Sequence, residues 1–123
     1  MAWTSWFHIF SHPASLHDLT PEALQSWINQ EHVPLIDVRT AKEFRDGHIQ
    51  GARSLPLGQE EHALQLYAPD QPVILICKTG HRSQAAARTL IDHGFKQVYH
   101  LKGGMDQWRQ QGYPTKSSAP PSV

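Results

Sequence analysis

Four consecutive large apolar residues, Val73-Ile74-Leu75-Ile76, run straight into Cys77, the one cysteine of this 123-residue chain. The run is too short for a buried helix and lacks the alternation of a strand with one wet face, so it fits a strand buried on both sides. A turn with Gly80 and the basic or titratable Lys78, His81 and Arg82 follows. The next segment, from about Ser83 to His93, is rich in alanine, the best helix former. A strand, a tight loop and a helix N-terminus therefore meet at a thiol. A strand covered on both faces requires the rest of the chain to supply neighbouring strands and two layers of helix.

The remaining sequence meets that requirement. Leu16-His17-Asp18-Leu19 is a short extended segment, and Thr20-Pro21-Glu22 carries a threonine N-cap, a first-position proline and a first-turn acid. Leu24, Trp27 and Ile28 give the helix that follows one apolar face. Val33 to Arg39 is the next strand, with proline near its start. Thr40-Ala41-Lys42-Glu43 is a capping box for a brief helix closed by Asp46-Gly47. His48 to Leu57 is a turn and a short extended piece, and Gln59 to Tyr67 is helical by the spacing of Ala63, Leu64 and Tyr67. After the alanine-rich helix, Gly94 suits a left-handed C-cap. Val98 to Leu101 is the last strand, Gly103-Gly104 a turn, and Met105 to Gln111 a short helix. Alternating strands and helices imply an α/β fold with a central, mainly parallel sheet flanked by helices on both faces. Ligands in such sheets bind beyond the carboxyl ends of strands, where Cys77 lies.

The length suits one domain, residues 13–114, with one core. An aromatic arm, residues 1–12, precedes it with Trp3, Trp6, Phe7, Ile9 and Phe10, which either fold over the domain's own surface or form a partner contact. The tail 115–123 is serine, proline and alanine with almost no bulk and is expected to be disordered. The arm is too short and too interrupted for a membrane span and lacks the basic start of a signal peptide. Lys plus Arg and Asp plus Glu balance at 11 each, so no global basic field invites nucleic acid. The nine histidines show no metal-ligand spacing. A single cysteine excludes an internal disulfide and C-x-x-C chemistry, and an unpaired reactive thiol belongs in a reducing compartment, the cytoplasm.

The chemistry concentrates in the loop. A helix start aims its positive dipole end back at the thiol, and successive N–H groups of a short turn converge on an anion. Lys78, Arg82 and a protonated His81 add positive charge, and Gly80 permits a crowded backbone. All of these favour the thiolate, the reactive form of cysteine. A cysteine at the end of a buried strand is also, by itself, a small inert hydrophobe. The neighbouring turn and helix weigh against that reading.

The loop Cys77-Lys78-Thr79-Gly80-His81-Arg82-Ser83, a C-x-x-G-x-R-S signature, resembles the rhodanese-like family of single-domain sulfurtransferases. Leu35-Ile36-Asp37-Val38-Arg39, Glu43-Phe44 and Gly47-His48-Ile49-x-Gly51-Ala52 match in the first half, and Leu101-Lys102-Gly103-Gly104-Met105 with Trp108 matches in the second. The resemblance covers roughly residues 17–113. Gln50 stands where proline is usual, and Arg53-Ser54 replaces a pair that commonly contains asparagine. The resemblance implies a rhodanese-like fold with a five-stranded sheet and a two-step sulfur transfer without metal or organic cofactor. Cys77 would take the outer sulfur of thiosulfate or a persulfide donor as a persulfide, then pass it to cyanide, a small thiol or a protein thiol. Lys78, Thr79, Gly80, His81, Arg82 and Ser83 would form the loop that binds substrate and persulfide.

Cysteine phosphatases of the same fold have a C-x5-R loop. Here Cys77 and Arg82 enclose four residues, a smaller ring that suits a sulfur atom better than a phosphoryl group. Asp37, Arg39 and His48 are further pocket candidates from the resemblance. An ion pair or turn hydrogen bond serves equally for the first two, and a surface hydrogen bond for His48. Ser83 either bonds the persulfide or caps its helix, Glu43 partners Thr40, and Trp108 belongs to the core. Two other functions remain: a non-enzymatic module that binds an anion or partner, and a carrier relaying sulfur between proteins.

Overall fold

The computed structural model describes residues 16–30 and 33–118. The aromatic arm, residues 1–12, and the last five residues, 119–123, lie outside them. Five strands, β1 (Leu16–Leu19), β2 (Leu35–Asp37), β3 (Arg53–Ser54), β4 (Val73–Ile76) and β5 (Val98–Leu101), alternate with helices α1 (Pro21–Gln30), α2 (Ala41–Asp46), α3 (Ala63–Leu66), α4 (His81–Asp92) and α5 (Gly104–Gln110). A 3-10 turn over Glu60–His62 leads into α3. The sheet order is β1-β5-β4-β2-β3, and every strand pair is parallel.

β4 is the central strand, and all four of its residues are buried. Its side chains divide between two cores. Val73, Leu75 and Cys77 meet Ala86, Ala87 and Leu90 of α4, Ala63 of α3 and Phe95. Ile74 and Ile76 meet Leu24 of α1, Met105 and Trp108 of α5, and Leu101. The alanines of α4 let that helix lie close to the sheet. Layers on both faces explain why β4 is apolar throughout. From β2 the chain runs outward to β3, and from β4 it runs outward to β5. The exits from β2 and β4 thus diverge at adjacent carboxyl ends, the switch point where such sheets bind ligands. Val38 N–H still donates to the Ile76 carbonyl at 2.9 Å, holding the two exits together.

Local signals account for several helix ends. Thr20 Oγ1 accepts from Ala23 N–H at 3.1 Å. The Thr40–Glu43 capping box is complete, with Thr40 N–H donating to Glu43 at 2.9 Å and Glu43 N–H to Thr40 at 3.2 Å. Three expectations need correction. The central helix begins at His81 rather than near Ser83, because Gly80 at φ 104° makes the turn and leaves the next residue free to be helical. The Gln59–Tyr67 helix is a 3-10 turn plus one α-turn, and Leu64 is exposed while Ala63 is buried. The tail is not disordered from Thr115: Lys116 pairs antiparallel with His48, and Ser118 N–H donates to the Arg45 carbonyl at 3.1 Å. Backbone hydrogen bonds anchor this stretch without bulky side chains, which is why composition misses it.

Candidate active site

Cys77 is the first residue past β4 and is fully buried. Gly80, left-handed at φ 104°, turns its N–H back onto Cys77 Sγ at 2.9 Å. A residue with a β-carbon adopts that φ only with strain. Ser83, in the first turn of α4, lies on the other side of the sulfur, its Oγ 3.5 Å from Sγ and 3.1 Å from the Gly80 carbonyl. Ser83 therefore bonds both the thiol and its own turn.

α5 holds the loop from behind. Met105 N–H donates to the Cys77 carbonyl at 2.8 Å and Asp106 N–H to the Lys78 carbonyl at 3.0 Å. Gly104, at φ +59°, makes this approach possible: a β-carbon there would overlap both carbonyl oxygens and lie 2.5 Å from the Lys78 carbonyl carbon. Gly104, expected to form only part of a turn, is thus the contact surface for the cysteine loop. The Cys77 and Lys78 carbonyls thus face α5, while the Gly80 N–H faces the sulfur.

The loop's cations are already paired. Arg82 forks onto Glu43, NH1 to Oε1 at 2.7 Å and NH2 to Oε2 at 2.9 Å, with both side chains about one-third exposed. Arg82's hydrogen bonds hold the Glu43 carboxyl down at about 2, against an opposing push from burial, with Thr40's backbone adding to the depression. The same pair holds the Arg82 proton more tightly, against a contrary effect of burial. The charge of Glu43 reinforces this. Lys78 lies exposed, 3.1 Å from Asp106. Thr79 Oγ1 and His81 Nδ1 are 3.2 Å apart on the outer rim.

Asp37 and Arg39 are a buried ion pair at 2.8 Å, and the guanidinium also holds the Gly47 carbonyl at 2.8 Å. Asp37 accepts Arg39's own N–H as well, at 3.0 Å. This pair fixes the β2 exit against the end of α2. His48 is buried rather than a surface group, stacked on Phe44 at 3.8 Å with Nδ1 2.7 Å from the Phe44 carbonyl. Trp108 is core, as expected, with its indole N–H on the Pro114 carbonyl at 2.8 Å.

Sequence reasoning missed two features. Glu43 serves Arg82 as well as Thr40. His100 stands behind Ser83, with Nδ1 2.9 Å from Ser83 Oγ and Nε2 2.6 Å from Asp18 Oδ1. The available signal was a histidine at an inward position of an otherwise apolar strand. Among the described residues no three His, Cys, Asp or Glu side chains are grouped to hold a metal, and no helix is long and apolar enough to cross a membrane.

A parallel five-stranded α/β domain with a lone thiol in a glycine turn at the sheet's switch point defines a cysteine-loop domain of the rhodanese type. The model of the rhodanese-like domain matches residues 20–111, and the chain belongs to that family. It is 37% identical over 101 residues to the thiosulfate sulfurtransferase GlpE of Stutzerimonas stutzeri, covering 79% of this chain and 87% of that one. It is 46% identical over 74 residues to the uncharacterized protein YqhL of Bacillus subtilis, covering 60% of this chain and 59% of that protein. The solution structure of a rhodanese-like domain from Anabaena superposes with a TM-score of 0.77 at 25% identity, covering 86% of this chain and 85% of that one.

Proposed function

We propose that the chain is a sulfurtransferase that carries sulfane sulfur as a persulfide on Cys77. The Cys77 thiolate attacks the outer sulfur of thiosulfate; the Sγ–S bond forms, the donor's S–S bond breaks, and sulfite leaves with the electron pair. A persulfide donor reacts alike and releases its thiolate. Cyanide, a small thiol or a protein thiol then attacks the outer sulfur, and Cys77 departs as thiolate. Every step conserves the sulfur oxidation balance without a cofactor. An unpaired working thiol suits the reducing cytoplasm.

The observation that carries this reading is the Gly80 N–H held 2.9 Å from Sγ, at the start of a 12-residue helix. That donor and the helix dipole stabilise negative charge on or just beyond Sγ, the charge a thiolate or persulfide brings. Arg82 favours sulfur over phosphate: its fork is filled by Glu43, whereas phosphoryl recognition needs a guanidinium free for two oxygens. Because Cys77 is fully buried while Lys78, Thr79 and His81 are exposed, a donor reaches the sulfur as those rim side chains give way. The test is thiocyanate formation from thiosulfate and cyanide. Turnover that disappears in Cys77→Ser supports the reading, and equal rates in both proteins would overturn it.

A further inference from the structure

Cys77 is backed by a continuous file of polar side chains drawn from three separate elements. Sγ lies 3.5 Å from Ser83 Oγ, Ser83 Oγ lies 2.9 Å from His100 Nδ1, and His100 Nε2 lies 2.6 Å from Asp18 Oδ1. Strand register sets the last contact, since Asp18 of β1 pairs with His100 of β5. His100 is 5% exposed, whereas the Asp18 side chain is 62% exposed. The file therefore runs from the buried sulfur to a carboxylate in water.

We propose that His100, oriented by Asp18, is the positioning residue that accepts the Cys77 proton through Ser83 and so sets the ionisation of the sulfur. This deepens the sulfur-transfer reading and rests on it for its catalytic meaning. The hydrogens of the file can be counted. A carboxylate only accepts, so Nε2 carries the hydrogen facing Asp18. A neutral imidazole then has a bare Nδ1; of the two acceptors within reach of the single Ser83 O–H, Nδ1 at 2.9 Å and the Gly80 carbonyl at 3.1 Å, the closer Nδ1 takes it. The lone pairs of Ser83 accept the Cys77 thiol. When the thiol ionises, the file reverses. The S–H bond breaks as a new O–H forms on Ser83, and the old Ser83 O–H breaks as Nδ1–H forms. One proton moves from sulfur to imidazole, no electrons change hands, and net charge is conserved. Ser83 then donates to the thiolate, and the imidazolium lies between it and the Asp18 carboxylate.

Among the described residues no other charged group is placed to do this. His17 points to the opposite face of the sheet, against Tyr99 at 5.1 Å between ring centroids. On α4, Arg82 is turned to Glu43, and His81, Arg88 and Asp92 are exposed. Lys102, just past β5, is exposed as well. Only Asp18 and Ser83 make hydrogen bonds to the His100 ring among the described residues.

The test is a pH titration of the Cys77 thiolate by its ultraviolet absorbance, with Cys77→Ser as blank, in wild type, His100→Gln, Asp18→Asn and Ser83→Ala. It needs neither reagent access to the sulfur nor any sulfur donor. Each substitution is expected to raise the midpoint, by about one pH unit for His100→Gln, the size of a close charge partner's effect. The sign for Asp18→Asn is decisive. Removing a nearby negative charge through space alone would lower the midpoint, whereas the file predicts a rise. Asp18 is mostly exposed, so its variant keeps the test open if His100→Gln does not fold. A midpoint that stays put or falls in Asp18→Asn overturns the proposal. A raised midpoint in a protein that acquires sulfur neither from thiosulfate nor from a persulfide donor upholds the file and overturns the sulfur-transfer reading instead.

Discussion

Replacing Gly104 by alanine tests whether the contact between α5 and the loop sets both stability and reactivity. The added carbon would lie 2.5 Å from the Lys78 carbonyl carbon and overlap the oxygens of Cys77 and Lys78, backbone atoms with no rotamer to escape into. Ordinary contact begins at 3.4 Å, so α5 must withdraw by roughly 1 Å. The Met105–Cys77 and Asp106–Lys78 hydrogen bonds, at 2.8 and 3.0 Å, would then stretch beyond useful range. Two such bonds contribute about 1 kcal/mol each, and a left-handed alanine at φ +59° costs about 1 kcal/mol more. The sum, about 3 kcal/mol, lowers Tm by roughly 10 °C for a domain of this size. Sulfur uptake should slow by about a hundredfold, the scale of a 1 Å misplacement of a reacting group. Gly94→Ala is the control: φ is +100° but nothing lies within 4 Å of the new carbon, so only the backbone cost of about 1 kcal/mol applies. Calorimetry and the rate of persulfide formation read both variants. If Gly104→Ala melts no lower than Gly94→Ala, or melts lower with full sulfur uptake, the clamp does not support the site.

Two further outcomes follow from the paired cations. The Glu43 carboxyl is depressed in the folded protein to about 2 from an ordinary 4.5, so its stabilisation is complete above about pH 4.5 and is lost as pH falls towards about 2. Glu43→Gln keeps the cap but not the charge. Acid unfolding should show wild type losing about 1 kcal/mol more than the variant over that window, a value reduced for partial exposure of the pair; parallel curves would deny the Arg82 pair this role. Lys78, whose exposed partner Asp106 costs little to leave, is free to meet an anionic donor. Lys78→Ala should therefore weaken kcat/KM for thiosulfate about tenfold while sparing a neutral persulfide donor, and equal losses with both would remove charge recognition from that side chain.

The features legible in the sequence are those decided within a few residues. Pro21 after Thr20, the Thr40–Glu43 box and the Cys77–Gly80 turn need only local spacing, and the unbroken β4 run announces a strand covered on both sides. Alternating elements then give the parallel order and place Cys77 at the correct end of the sheet. What the sequence hides depends on register and on side chains with two partners. Glu43 can cap Thr40 and still reach Arg82, 39 residues away, because a carboxylate has four lone-pair sites. Asp18 and His100 meet across 82 residues only because β1 joins the far side of β5. Gly104 looks like any turn glycine until α5 is seen pressed against the loop carbonyls.

In the proposed function Cys77 receives and holds a sulfur atom in a loop arranged for it. Intact mass measured after thiosulfate treatment and removal of excess donor tests this most directly. The expected result is a gain of one sulfur atom in the wild-type chain, no gain in Cys77→Ser, and return to the starting mass on adding cyanide. A wild-type mass left unchanged by thiosulfate and by a persulfide donor alike would contradict it.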